Sequence, residues 1–373
     1  MKHQIALIGK DITSVYQAVK EFLPDSIHLL YTEETDDVPE PMYPLLPQSI
    51  QRYIYLVKPY DAQSVVETCR KIHSAFQGEF SYNLSEGTKL MAFAALGVAM
   101  EEKAKAYYLT QQGEAIVLPG FEKIALKSCL SNEEIIQLSG NVVSGYHDCK
   151  DLKNEDIRMA YQIKRFIEKY PHEHTRIQRY FSLYCGRRLE RLPSSYSFPN
   201  KLSFKQNDGR LFIFRNGQNL LKLISEAGCH LYFEGRWWET LVAERVQSWS
   251  KTKTNLPEIW QSVMFQVENG IKDKTKNEVD VLLNNAQKLI FIECKSGQVT
   301  QEDIYKIDAV RETYGGDISQ AVLASYYPVG EDLLEKCKDL QIDVFAPKFF
   351  ADRIHYIDTL PQWLNTFSNK IVI

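Results

Sequence analysis

The sequence predicts an α/β chain, and three observations carry that prediction. Apolar runs of strand length alternate with helix-periodic segments through about residue 110. A polar loop bearing a glycine joins one of these strands to a helix. Near the far end, two further apolar runs carry three acids and a lysine at strand spacing.

The elements follow in order. "QIALIG" is a buried strand, and "ITSVYQAVKEFL" places Val15, Val19, Phe22 and Leu23 at helical spacing. "IHLLYT" is a second strand, followed by a proline-bearing polar loop from Glu33 to Pro47. "YIYLVK" is a third strand, and "DAQSVVETCRKIHSAF" a helix with Asp61 placed to cap it. "EFSYNLS", "TKLMAFAALGVAMEEK" and "AKAYYLT" then read strand, helix, strand. Beyond Glu114 the alternation stops. Ser131 and Glu134 form a capping-box pair ahead of one helix, and "NEDIRMAYQIKRFIEKY" is another. Pro171 to Asn200 mixes basic, aromatic and proline residues and reads as a connector. Asp208-Gly209 is a hairpin turn between β-type runs. The remainder reads helix (Trp237 to Ser248), two strands, helix (Gln301 to Thr313), strand, helix (Glu331 to Leu340) and strand.

Composition narrows the class. The chain has 373 residues, 44% hydrophobic and 25% charged, which suits two soluble globular domains and excludes a disordered chain. A net charge of −4 argues against a generally basic nucleic-acid coat but leaves room for a local patch. Seven cysteines are scattered without a CxxC pair, as expected of free thiols in a reducing cytoplasm rather than a zinc site. No apolar run approaches the ~18 residues of a membrane helix.

The stretch "NEVDVLLNNAQKLIFIECKSG" poses the main chemical question. Strand alternation puts Glu278 and Asp280 on one face of their strand, and Glu293 and Lys295 on one face of the next. A turn from Asn285 to Lys288 would set Asp280 opposite Glu293. Like charges so placed are destabilising, and burial adds a desolvation cost, unless a cation compensates. Mg²⁺ or Mn²⁺ does so well, being a hard ion that takes carboxylate and phosphate oxygens. Lys295 would orient or deprotonate the attacking water, or stabilise the pentavalent phosphate. The plain alternative is a solvated hairpin with Lys295 paired to one acid.

This stretch resembles the core of the PD-(D/E)XK nucleases. Asp280 matches the acid on one strand, Glu293-x-Lys295 matches the next, and Glu239 in "GRWWETLVAERV" matches the helix acid. Val279 stands where that family often has proline. The resemblance implies Asp280, Glu293, Lys295, Glu239 and Glu278 as catalytic residues, with metal contacts at Asp280, Glu293 and Cys294. Gln301 and Lys306, on the following helix, are either outer contacts or ordinary surface residues.

A second loop, "SYNLSEGTKLMAFAALG", places Asn83, Ser85 and Thr88 at the carboxyl end of a strand, where α/β sheets bind ligands. Gly87 permits an unusual turn, the helix N-terminus offers free N–H groups, and Lys89 adds charge. The alternative is an ordinary capped helix. The loop is not a Walker A motif. It resembles the signature of CARF domains, the Rossmann-like sensors of cyclic oligoadenylate in type III CRISPR systems, except that Glu86 replaces a glycine. An acid beside a phosphate-rich ligand would point outward or alter specificity. By the same resemblance the first loop, with Gly9, Thr13 and Ser14, supplies a second ligand contact.

The two resemblances cover most of the chain in the order of the stand-alone CRISPR ancillary nucleases; "YGG" at Tyr314-Gly315-Gly316 also fits. They imply a CARF sensor over 1–145, a helical and hairpin connector over 146–215 and a nuclease domain over 216–373. They further imply a cytoplasmic homodimer without membrane attachment, allosterically activated by cyclic tetra-adenylate. Its expected substrates are single-stranded DNA, supercoiled DNA or RNA. Arg176, Arg179, Arg187, Arg188 and Arg191, among Tyr180, Phe181 and Tyr184, are either nucleic-acid contacts or a solvated helix face. The contrasting function is a ligand-responsive nucleic-acid-binding regulator that does not cleave.

Overall fold

The computed structural model describes residues 1–110, 113–253, 257–266, 275–284, 288–315 and 319–369. The chain divides into two compact units, one over 1–143 and one over 144–373 apart from two short segments at 286–289 and 314–318. The expected turn at Asn285 to Lys288 and the Gly316 of "YGG" fall at least partly outside the described residues.

The first unit is the expected parallel α/β sheet. It runs β1 (Lys2–Leu7), α1 (Thr13–Phe22), β2 (Ser26–Tyr31), β3 (Gln51–Leu56), α2 (Ala62–Ala75), β4 (Glu79–Asn83), α3 (Lys89–Glu101) and β5 (Lys105–Leu109). β6 (Glu114–Leu118), β7 (Glu122–Ala125) and α4 (Asn132–Leu138) complete it. The strand order is β3-β2-β1-β4-β5-β6-β7. The first five strands are parallel and the last two antiparallel, so the sheet continues past the point where the alternation ends. Local chemistry fixes the helix starts. Asp61 accepts from the backbone N–H groups of Gln63 and Ser64, and Ser131 with Glu134 closes a reciprocal capping box. Ile5, Leu7, Leu30, Val65, Tyr82, Met91 and Val98 pack one side of the sheet.

The second unit begins with β8 (Val143–Asp148), α5 (Asn154–Lys169), α6 (Pro171–Cys185), β9 (Ser195–Ser197), β10 (Leu202–Asn207), β11 (Arg210–Arg215) and β12 (Gln218–Leu223). It continues with α7 (Glu226–Phe233), α8 (Arg236–Ser250), β13 (Glu258–Gln266), β14 (Thr275–Asn284), β15 (Leu289–Lys295), α9 (Gln301–Gly315), β16 (Gln320–Ser325), α10 (Glu331–Asp339), β17 (Ile342–Phe345), α11 (Arg353–Tyr356) and α12 (Leu360–Asn369). A mixed sheet of order β17-β16-β15-β14-β13-β8 forms its centre, and β12-β11-β10-β9 form a small antiparallel sheet.

The stretch read as a connector is built into this unit. Pro171 opens α6 at its first turn, where the missing N–H costs nothing, so a helix forms in place of a loop. Phe166, Ile177, Phe181, Phe204 and Ile213 share one apolar core with Trp237, Trp238, Val281 and Ile292. α5 buries Met159, Ala160, Ile163, Phe166 and Ile167 along one stripe and packs against α8. Burying that stripe favours this packing by roughly 25 cal/mol per Å² of apolar surface removed from water.

Candidate active site and ligand loop

β14 and β15 position the acids. Val281 and Leu283 face the large core with Ile290, Ile292 and Cys294, so alternation turns Asp280, Glu293 and Lys295 to the opposite face. On that side α9 packs Ile304 and Ile307 against Ala321 and Leu323 of β16. Glu239 sits in the first turn of α8. That helix is fixed by Trp238, whose indole N–H donates to the Ala324 carbonyl at 2.8 Å in the core. Its start depends on Gly235, at φ 85, where an added Cβ would lie 2.4 Å from Ser296 Oγ. Only glycine lets the helix begin that close to the turn after Lys295.

The site gathers charges away from solvent: Glu293 is buried, while Glu239, Asp280 and Lys295 are half-buried. The Asp280 carboxylate accepts from the Cys294 N–H at 2.6 Å. Burial pushes its pKa well above the usual carboxylate value, and Glu293 and Glu239 push it further. Burial likewise raises Glu239 to about 7; Arg236 opposes this, while Glu278 and Glu293 add to it. Lys295 Nζ lies 2.9 Å from Glu293 and 3.0 Å from Asp303. Burial works to lower that ammonium's pKa, but the two carboxylates outweigh it and hold the value above normal. Lys306 donates to the same Glu293 oxygen at 3.2 Å. Gln301 points away and donates to the Tyr305 hydroxyl. Glu278 is exposed beside Met264 in the β13–β14 register. The Cys294 thiol is buried in the core with its pKa raised by burial, so the side of Cys294 that meets Asp280 is its backbone.

Two features of the site were not visible in the sequence pattern. Asp303 is one; the signal was Thr300 three residues ahead of it, since Asp303 also accepts from the Thr300 N–H and hydroxyl at the start of α9. The other is Ser262. Gln261 pairs with Val281 and Val263 with Val279, which leaves Ser262, at φ 51, level with Asp280. A left-handed serine beside a half-buried acid is the kind of strain that accompanies working sites. Among the described residues no three His, Cys, Asp or Glu side chains already form a metal-holding group. The donor chemistry nonetheless fits a hard divalent cation: Glu239, Asp280 and Glu293 offer only carboxylate oxygens, and their mutual repulsion is what such an ion relieves.

In the first unit the strand order reverses between β1 and β4, so the loops after those strands meet in a crevice. They approach closely: a Cβ on Gly9 would lie 2.4 Å from the Glu86 carboxylate and 3.0 Å from the Gly87 nitrogen. Three expected ligand contacts are committed to the framework. Asn83 is 0% exposed and donates to the Ser14 carbonyl. Ser85 donates to Asn83 and accepts from the Leu109 N–H. Thr88 caps α3 and donates to the Pro59 carbonyl. Gly87 and Lys89 are exposed, while Gly9, Thr13 and Ser14 are half-buried. Glu86 points inward. Its carboxylate accepts from the Ser14 hydroxyl at 3.4 Å, and its pKa is raised to about 7 by burial and by the nearby Asp11.

The comparisons with known proteins agree with this geometry. Residues 228–359 match the model of the Card1-like endonuclease domain. No curated protein sequence matches the chain. Its fold is similar to that of Can2 from Sulfobacillus thermosulfidooxidans, solved in complex with cyclic tetra-adenylate: TM-score 0.72, 18% identity, 98% of this chain and 99% of that one covered. VC1899 from Vibrio cholerae gives a TM-score of 0.76 at 15% identity, with 98% of each chain covered. A type III CRISPR defence DNA nuclease activated by cyclic oligoadenylate gives 0.55 at 15% identity, over 88% of this chain and 46% of that one. The likeness to Can2 and VC1899 gives the fold over nearly the whole length, and residues 228–359 resemble a Card1-like endonuclease domain.

Proposed function

We propose that the protein is a nuclease of type III CRISPR defence, switched on by cyclic tetra-adenylate and dependent on a divalent cation. The observation that carries the reading is the set of Glu239, Asp280, Glu293 and Lys295 gathered inside the part that matches an endonuclease domain. Asp280 and Glu293, with Glu239 behind them, would hold Mg²⁺ or Mn²⁺. Such an ion supplies Lewis-acid stabilisation of charge on a phosphodiester. Lys295, held between Glu293 and Asp303, presents a fixed positive charge to the phosphate as negative charge develops on it. The substrate class is the phosphodiester backbone of DNA or RNA.

The activator would sit at the crevice where the first two loops meet. Gly87, exposed Lys89 and the N-terminus of α3 offer an anion both N–H groups and charge. A ring with two-fold symmetry suits two copies of that loop, and α3 supports a homodimer. It is apolar on every side, and Leu90, Phe93, Gly97 and Met100 lie along one exposed face, with Phe93 70% accessible. A helix apolar all round is one that is covered. Linkage between the two sites would then follow from a ligand that prefers one state of the dimer.

The test is cleavage of plasmid, single-stranded DNA and RNA with Mn²⁺ or with chelator, each with and without cyclic tetra-adenylate. The reading requires product only when cation and ring are both present. Product of equal amount in chelator sinks the metal, and product independent of the ring sinks the sensor.

A further inference from the structure

A groove of ≈ 650 Å³ runs between α5 and β12 in the second unit, away from the residues assigned to catalysis. We infer that it is an exosite for the phosphate backbone of a single-stranded polynucleotide. The inference deepens the nuclease reading and rests on it for the identity of the partner.

The charge pattern comes first. Arg158, Gln162, Arg165 and Lys169 follow one another at spacings of four, three and four residues, so they share one face of α5, and all four are exposed. The row extends about 16 Å along the helix. Lys222 joins it from β12, while Glu155 is the one acid lining the groove. Among the described residues none of these four cations stands in an ion pair. By contrast Lys164, on the buried side of the same helix, pairs with Glu168 at 2.6 Å. A chain with a net charge of −4 thus concentrates unneutralised positive charge on one face.

The remaining groups fit a strand with exposed bases. β12 is the outer strand of its sheet, so one side of its backbone is not paired within that sheet. Tyr170 lines the same groove, with the Lys169 ammonium 5.3 Å from its ring centre, and offers a face for a base to stack on. α5 packs against α8, the helix that carries Glu239, so the surface that would grip substrate is braced directly on part of the candidate active site.

The test is fluorescence anisotropy of the full chain without divalent cation, using a labelled mixed-sequence single-stranded DNA. The variants are Arg165→Glu with Lys169→Glu, and Lys222→Glu alone as a strand-side change that leaves α5 intact. Both change exposed residues, and circular dichroism with thermal melting checks that each folds. The inference expects a tenfold or larger loss of affinity in the double variant, and a salt slope shallower by about 0.7 for each phosphate contact removed. Lys222→Glu is expected to move affinity in the same direction by less. A labelled trinucleotide and inorganic phosphate are expected to bind weakly and equally to all three proteins. Unchanged single-strand affinity in both variants overturns the exosite. So does equal competition by polyglutamate, which would make the groove a docking surface for an acidic protein. Because binding is read without cleavage, an inactive wild type that still shows these losses refutes the nuclease reading and leaves the groove standing.

Discussion

Asp303 Oδ1 stands 3.0 Å from the Lys295 ammonium, while Asp303 Oδ2 accepts from the Thr300 N–H at 2.8 Å. One carboxylate therefore ties the start of α9 to the lysine of the E-x-K pair. Whatever Glu293 binds, Lys295 keeps a second anchor. Replacing Asp303 with Asn keeps the cap acceptor but weakens the ion pair. The expected result is a roughly tenfold or greater fall in kcat with little change in KM, as for a residue that positions another. A matching rise in KM would place Asp303 in substrate binding instead.

Glu86 would give the proposed activator site a pH dependence. Its carboxyl is raised to about 7 by burial and then by Asp11. It is neutral below that value and negative above it, so a phosphate-bearing ligand meets repulsion only on the alkaline side. Affinity for cyclic tetra-adenylate should fall as pH rises from about 6 to about 8, and Glu86→Gln should flatten the profile. The stability term has the same sign. Between 4.5 and about 7 the folded state keeps a proton that the unfolded chain has lost, so this group's contribution declines as pH rises through that window. Calorimetric titrations at several pH values check the binding, and a pH-independent affinity in the wild type would refute it.

Gly235→Ala tests the close approach of α8 to the turn after Lys295. Ser296 can rotate away from the added methyl, but the backbone at φ 85 cannot relax cheaply. A loss of about 1–2 kcal/mol in urea unfolding is expected, with a larger proportional loss of cleavage because Glu239 rides on that helix. Unaltered stability would mean that the helix start tolerates a side chain and that its glycine is incidental.

Phe93→Glu places a charge on the exposed apolar face of α3. Light scattering is expected to find a dimer in the wild type and a monomer in the variant, with weaker binding of the ring. A wild type that stays monomeric with and without ligand would remove the dimer from the account.

Much of this was legible in the residues because it is local. The alternation to β5, the Asp61 cap, the Ser131–Glu134 box and the Asp208-Gly209 turn each depend on neighbours a few residues apart. The acid and lysine positions were readable for the same reason, since strand alternation fixes which side chains share a face. What escaped depends on distant partners. α6 forms because Ile177, Phe181 and Cys185 find a core, despite the basic and proline-bearing sequence around them. The inward turn of Glu86 depends on the gap left by Gly9 some eighty residues earlier. Ser262 comes level with Asp280 only through the pairing of β13 with β14, and Asp303 gains its second role only once α9 lies over β15.

The most direct test of the charge set puts cleavage and ring binding side by side in a single preparation of Lys295→Ala. The account predicts that product formation with Mn²⁺ and cyclic tetra-adenylate falls by about 100-fold or more, while calorimetric affinity for the ring matches the wild type. Cleavage within a few fold of wild type would contradict it.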